Sequence, residues 1–322
     1  MPEKLLEVVD LKTYFYTTKG IVKAVDGVSF SLNKGEVLGL AGESGCGKST
    51  TAYSLIRLVP PPGRIVSGKI LFEGKDLLKL SEDDFRKEIR WKKISMVFQG
   101  AMNALNPVYT VGDQIAEVLM LHKGLTKKEA LEEVKKLLAM VGIDPRRARS
   151  YPHELSGGMK QRVMIAMALA LNPPLVIADE PTTALDVVVQ AQIMNLLKKL
   201  QREYNMSIIL ITHDLSLIAE IADKVAIMYA GKIVEFGTSE QVYGNPQHPY
   251  TQALLRSIPR LRGEITKLEW IPGTPPDLIS PPPGCRFAPR CNRVMDICNK
   301  EEPPVIEVEP GHYVSCWLHA KK

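Results

Sequence analysis

No apolar run in this 322-residue chain is long enough to cross a bilayer. The longest, Val163 to Leu171, has nine residues, whereas a spanning helix needs about twenty. The chain is therefore not expected to cross a membrane itself. The opening residues Met1-Pro2-Glu3-Lys4-Leu5-Leu6-Glu7 place acids where an export signal has its apolar core, so export is not expected. Cysteine is scarce, with only Cys46 between Met1 and Gly284. The net charge of +5 is a mild basic excess that a nucleotide or a membrane surface would satisfy, and no nucleic-acid motif accompanies it. What remains is ordinary for a globular protein with a substantial core: 45% hydrophobic and 24% charged residues. The length suits roughly two domains, or one large domain with an appendage.

The strongest local signal is Gly42-Glu43-Ser44-Gly45-Cys46-Gly47-Lys48-Ser49-Thr50, which fits G-x-x-x-x-G-K-[ST]. A strand-length apolar run, Glu36 to Ala41, precedes it, and Thr51 to Leu58 follows with helical spacing. Strand, glycine loop and helix together make a phosphate cradle. Glycine lets the backbone curl so that successive N–H groups point inward, and the helix start adds its dipole. Lys48 would reach the β- and γ-phosphates of a nucleoside triphosphate, and Ser49 would place its hydroxyl on Mg²⁺.

Along the rest of the chain, Leu5 to Ser31 alternates in strand fashion, with Phe15 and Tyr16 just before the turn at Thr17 to Gly20. Aromatics there suit either a stacked base or the face of a sheet. Gly68 to Gly74 reads as a strand and turn, and Ile94 to Gln99 as a strand ending in glutamine. Thr126-Lys127-Lys128-Glu129 is a capping box, and the helix it opens places Leu131, Val134, Leu137, Leu138 and Val141 at apolar spacing. Residues 100–165 thus read as a helical insertion in an α/β domain. Leu155-Ser156-Gly157-Gly158-Met159 starts a helix, where free N–H groups, a hydroxyl and the dipole can meet an anion. Leu175 to Glu180 is a buried-type strand ending in two acids. At the carboxyl end of a parallel strand, Asp179 would hold Mg²⁺ and Glu180 would orient or deprotonate the attacking water. Ala184-Leu185-Asp186 precedes another helix, and Ser207 to Asp214 is a buried strand ending at His213. Lys224 to Gly237 reads as the two strands that finish the sheet.

In this order the pieces resemble the nucleotide-binding subunits of ABC transporters over residues 5–240. The resemblance rests on the phosphate loop, Gln99, Leu-Ser-Gly-Gly, the apolar-Asp-Glu strand, Ala-Leu-Asp and His213. It implies that Phe15, or alternatively Tyr16, stacks on adenine. It implies that Gln99 senses the γ-phosphate and Mg²⁺ and couples to the membrane partner. Ser156, Gly157 and Gly158 would press on the γ-phosphate of ATP held by an opposite subunit. Asp186 would lie at that dimer interface, and His213 would be the switch histidine. The family signature most often ends in glutamine where this chain has Met159. Phe98 to Pro107, Val111-Gly112-Asp113-Gln114-Ile115, His248 to Leu255 and Pro283 to Cys291 narrow the resemblance to the oligopeptide, dipeptide and nickel branch. That branch implies an ATPase on the cytoplasmic face of the membrane. Its partners would be two integral membrane permease chains, a second, non-identical ATPase and, indirectly, an extracytoplasmic solute-binding protein. Peptides are the expected solute, with nickel or oligosaccharides as alternatives.

The last segment, 241–322, loses long periodic stretches and is rich in proline. It would need a staple. Cys285, Cys291, Cys298 and Cys316 are the candidates, Cys46 being committed to the phosphate loop. Their spacing matches neither zinc ribbons nor the common ferredoxin run. A [4Fe–4S] cluster is the expectation that the resemblance favours, with zinc, two disulfides or four free thiols as the alternatives. The expected architecture is an α/β P-loop ATPase domain (1–240) carrying the helical subdomain, then a small loop-rich metal-binding tail. Two other readings compete: a soluble ABC ATPase of DNA repair or translation, and a metal- or redox-sensing regulator.

Overall fold

The computed structural model describes residues 3–100, 104–257 and 271–320. Ala101, Met102 and Asn103 of the branch motif lie outside them. The chain divides into two compact units. One comprises 4–32, 37–78 and 212–322, and the other is built mainly from 79–211. The phosphate loop and the cysteine-bearing tail therefore share one unit, although 247 residues of sequence separate Glu43 from Arg290.

The first unit begins with β1 (Lys4–Thr17) and β2 (Gly20–Asn33). In β2, Val28, Phe30 and Leu32 are buried at every second position, as a sheet with one wet face requires. β3 (Val37–Ala41) is buried throughout and leads through the glycine loop into α1 (Lys48–Leu55). β4 (Gly63–Phe72) and β5 (Lys75–Asp76) complete a four-stranded sheet in the order β2-β1-β4-β5.

The other unit contains a three-residue turn of helix, α2 (Glu82–Asp84), capped by Ser81, and then β6 (Ile94–Val97). Its helical part comprises α3 (Val111–Lys123), α4 (Lys127–Met140) and α5 (Gly157–Ala168). The capping box forms as its sequence requires: the Thr126 hydroxyl accepts the Glu129 N–H while Glu129 accepts the Thr126 N–H. Ala130, Val134, Leu137 and Leu138 of α4 are buried, and Leu131 is half-buried. β7 (Leu175–Asp179), α6 (Val187–Tyr204) and β8 (Ser207–Ile211) follow. β6, β7 and β8 are parallel neighbours, buried at every position, which is why each reads as a continuous apolar run.

The chain returns to the first unit with α7 (Leu215–Ile221), β9 (Lys224–Tyr229), β10 (Lys232–Thr238), α8 (Ser239–Gly244) and α9 (Pro249–Arg256). The sheet does not end at Gly237. β11 (Val305–Glu309) and β12 (His312–Ser315) form a hairpin, and β12 pairs antiparallel with β10. The order within this unit is β11-β12-β10-β9-β3. The pairing buries His312 and Val314 and covers the edge of β10. Its anchor is polar: buried Glu235 accepts the Gln247 and His248 N–H groups and meets His312 Nε2 at 2.8 Å. No helix among the described residues is long and apolar enough to cross a membrane.

Candidate nucleotide site

The phosphate loop is shaped by close approach. A Cβ on Gly42 would lie 2.0 Å from the Met228 carbonyl oxygen, and one on Gly47 would lie 2.1 Å from that of Ala24. Both glycines, and Gly45, have positive φ, which side chains disfavour. The Lys48 ammonium turns back into the loop and donates to the carbonyls of Gly42 and Glu43 at 2.7 and 3.0 Å. It thus lies inside the curl where a phosphate charge would be met. Cys46 is buried against Lys48. Burial pushes its thiol up, and the ammonium only partly opposes this. Ser44 lies on the loop, and Ser49 and Thr50 lie in the first turn of α1.

The two aromatic candidates differ. Phe15 lies opposite Gly63 in the β1–β4 ladder and its ring crowds that glycine. Tyr16 is 45% exposed, with the Arg64 guanidinium 5.9 Å from its ring centre. His213 is exposed between β8 and α7, and Asp214 caps α7.

In the other unit, Gln99 and Glu180 meet: the amide donates to Glu180 Oε2 at 3.0 Å, and the Thr183 hydroxyl donates to the same oxygen at 2.8 Å. Glu180 adopts φ 45°, a conformation that turns the chain sharply after the buried Asp179. Ser156 caps α5 and Asp186 caps α6, accepting the Val189 N–H at 2.9 Å. Gly158 sits where a Cβ would meet Val189 at 2.6 Å, so the starts of α5 and α6 are packed together. Beside this pair, Val187 and Val188 are 80% and 67% exposed.

The tail reaches the phosphate loop directly. Arg290 forms a fork on the Glu43 carboxylate, with bonds of 2.6 and 2.9 Å, and also donates to the Pro272 carbonyl and the Tyr229 hydroxyl. The Glu43 N–H donates to the Tyr250 hydroxyl at 3.0 Å. Tyr229, Tyr250 and Phe287 pack with ring centres 4.6–5.3 Å apart. Burial drives the Tyr250 phenol well above its ordinary range. A second anchor joins Arg286 to Asp26, which also accepts from the Tyr14 hydroxyl. Burial alone would raise the Asp26 carboxyl, but Tyr14 and Arg286 outweigh it and hold it below its usual value.

All five cysteines are free thiols. Cys285, Cys291, Cys298 and Cys316 line one small cavity with His248, Phe287, Trp317 and Leu318. The N–H groups of Phe287, Arg293 and Leu318 point at the sulfurs of Cys285, Cys291 and Cys316. Burial raises all three thiols, Cys316 to about 11. The metal-binding character expected of this tail finds no support in the side-chain geometry: among the described residues, no group of three or more His, Cys, Asp or Glu side chains is placed to hold a metal ion.

Comparison with known proteins shows which family the chain belongs to. A family described as "ABC transporter" matches residues 25–183, and one described as "Oligopeptide/dipeptide transporter, C-terminal region" matches 234–298. The dipeptide transport ATP-binding protein DppD of Bacillus subtilis is 52% identical, over 99% of this chain and 96% of its own length. This chain belongs to the ABC transporter ATP-binding proteins. The oligopeptide transport ATP-binding protein OppD of Salmonella typhimurium is 51% identical, over 97% of this chain and 93% of its own. A solved dimeric ABC transporter cassette, MJ0796, is 28% identical, with a TM-score of 0.65 over 73% of this chain and 98% of that one. A dimeric post-hydrolysis state of MJ0796 bound to ADP and Pi matches with the same TM-score at 29% identity. This ABC ATPase therefore has the P-loop α/β fold expected from its motifs.

Motif reading did not find the residues that tie the ATPase's tail to its phosphate loop. Asp26, Glu43, Arg286 and Arg290 carry no periodic signal. The one available hint is that each arginine stands directly beside a cysteine, Arg286 after Cys285 and Arg290 before Cys291.

Proposed function

We propose that this ABC ATPase hydrolyses ATP to power import of di- or oligopeptides, working on the cytoplasmic face of the membrane with two permease chains and a second, paralogous ATPase. The observation that carries this reading is end-to-end similarity, tail included, to dipeptide and oligopeptide transport ATP-binding proteins. Peptide is preferred to nickel or oligosaccharide on that basis.

Each residue has a chemical task in this reading. The Lys48 ammonium exchanges its carbonyl partners for β- and γ-phosphate oxygens, and the loop N–H groups take the rest. Exposed Tyr16 is better placed than packed Phe15 to stack on adenine. Ser49, Gln99 and buried Asp179 would hold Mg²⁺, which when bound neutralises charge on the β- and γ-oxygens. Glu180, its carboxylate already held by Gln99 and Thr183, orients the attacking water and takes up its proton. His213 contacts the γ-phosphate. Ser156, Gly157, Gly158 and Asp186 act on the ATP of the opposite subunit. The exposed Val187 and Val188 beside them suit a face that a second subunit covers. Val108, Tyr109, Met120 and Leu121, all exposed around the start and outer face of α3, suit the docking of a permease helix.

The four-cysteine cavity is read as a [4Fe–4S] site, with zinc as the alternative. The support for this reading is limited to four cysteines lining one cavity, with backbone N–H groups meeting three of the sulfurs.

Co-purification with two permeases, and peptide-dependent ATP turnover by the reconstituted assembly, tests the transport reading. Purification as a lone subunit whose turnover ignores both would overturn it. Anaerobic protein should be brown, with iron and acid-labile sulfide, whereas colourless protein carrying one zinc would remove the cluster.

A further inference from the structure

The unit that carries the phosphate loop has a cavity of about 370 Å³ walled by β1, β2, β10 and the tail. That volume lies in the range of small-molecule sites. Six charges line it: the cations of Lys12, Lys232 and Arg286, and the acids Asp10, Asp26 and Glu302. They are balanced in number and matched in pairs. Asp26 holds Arg286, Glu302 meets Lys232 at 2.9 Å, and Asp10 meets Lys12 at 3.6 Å. A ligand of one sign would strand a charge for each one it satisfied. A zwitterion can enter an ion pair and give each member a new partner. The Lys232–Glu302 pair suits this, because its side chains are 27% and 53% exposed and a solvated pair contributes little by itself. Arg286 adds a fixed attraction. Its side chain is 4% exposed, and its Nε–H has no hydrogen-bond partner. A guanidinium left one bond short on a cavity wall draws a carboxylate.

The surface beyond the charges is apolar. Gly27, Ile233, Val234, Val305 and Ser315 also line a neighbouring cavity of about 390 Å³. Its wall adds Phe30, Phe236 and Tyr313. Charges of both signs at one end, running on into an apolar groove, match a short peptide with free termini and apolar side chains.

The charged end backs the phosphate loop. The Arg286 guanidinium donates to the Ala230 carbonyl. The next N–H, that of Gly231, donates to the Cys46 carbonyl at 2.8 Å, and the Gly231 carbonyl accepts the Asp26 N–H at 2.8 Å. A carboxylate drawn to Arg286 therefore restrains the turn against which the loop is braced. A loop already restrained loses less freedom when it closes on phosphate.

We infer that this cavity binds a short apolar peptide as a zwitterion, with its carboxylate toward Lys232 and Arg286 and its ammonium on Glu302, and that occupancy tightens nucleotide binding. The inference rests on the peptide-import reading for its ligand, and gives the ATPase its own contact with that class of solute.

The test is calorimetric titration of the full-length protein with leucyl-leucine. The dissociation constant should be on the order of 0.1 mM. N-acetyl-leucyl-leucine, leucyl-leucine amide and free leucine should each bind about tenfold more weakly or worse, since each lacks one terminal charge or one side chain. Lys232→Met should bind leucyl-leucine and its amide equally weakly, and Glu302→Gln should do the same for leucyl-leucine and its acetylated form. Lys232→Arg keeps the cation and should keep the discrimination. Saturating leucyl-leucine should lower the Kd of a fluorescent ATP analogue about fivefold, and saturating nucleotide must lower the peptide Kd by the same factor. No binding at about a hundredfold above the expected Kd would overturn the inference, as would capped analogues that bind as well as the free peptide. Binding that leaves nucleotide affinity unchanged would overturn the effector role. The import reading is judged separately, by peptide-dependent turnover of the reconstituted assembly, and survives any of these failures.

Discussion

Replacing Arg290 by methionine keeps the length of the stem and removes the fork that grips Glu43. Arg290 is 4% exposed at its side chain and Glu43 is 26% exposed. Breaking a fully buried pair from one side costs about 3–5 kcal/mol, because the other charge is stranded. Water can reach part of Glu43, so the expected loss is about 2–3 kcal/mol. In a chain of 322 residues that lowers Tm by about 3–4 °C. Glu43→Gln should cost a similar amount, and the double variant clearly less than the sum, with a coupling energy of about 1.5 kcal/mol or more. Urea unfolding of the four proteins measures it. A second readout follows from the loop itself. The Glu43 carbonyl accepts from Lys48 and its N–H donates to Tyr250, so an unanchored Glu43 loosens the cradle. Titration with a fluorescent ATP analogue should show Kd rising about five- to tenfold, roughly 1–1.4 kcal/mol. Single effects that simply add, within about 0.5 kcal/mol, would refute the pairing as an anchor.

Other perturbations reach other links. Glu180→Gln should retain ATP binding, lower turnover about 10²-fold or more and trap an ATP-bound dimer on size exclusion. Unchanged turnover would remove Glu180 from its role. Gly47→Ala forces a methyl group against the Ala24 carbonyl at a positive φ, so nucleotide binding should be lost with about 2 kcal/mol or more of stability, read by the same titration and by urea unfolding. Asp26 has a folded-state pKa below its unfolded value, so its contribution is present above the unfolded carboxylate range and disappears as pH falls through it, below about pH 4. Asp26→Asn should cost about 3 kcal/mol at pH 7 by stranding Arg286. It should also flatten the acid limb of a Tm-against-pH series, and an unchanged limb would show that the pair is not responsible.

The chemistry of the phosphate loop was legible because it is local. Glycines at fixed intervals, a strand before and a helix after are all imposed by one short turn of backbone. The capping box at Thr126 and Glu129 was legible for the same reason, as were β7 and β8, whose burial on both faces forces unbroken apolar runs. The tail was harder to read. β11 and β12 are short, and their alternate positions face outward, so proline and charge dominate the sequence there. Pairing of β12 with β10, and of Arg290 with Glu43, joins positions far apart in the chain, and no spacing rule within either segment encodes them.

The order in which this polypeptide is made acquires a particular meaning from the Arg290–Glu43 anchor. The ribosome releases Glu43 long before the residue that secures it: Arg290 comes 247 positions later, roughly 12–50 s at ordinary synthesis rates. Once β10 is made its edge stays open in turn, and the carboxylate of Glu235 waits for His312, 77 positions further on. The nascent chain thus carries a glycine loop that is complete in sequence but unfastened. A stalled or truncated translation product lacking the final hairpin should fall to quality control rather than accumulate as a competent ATPase.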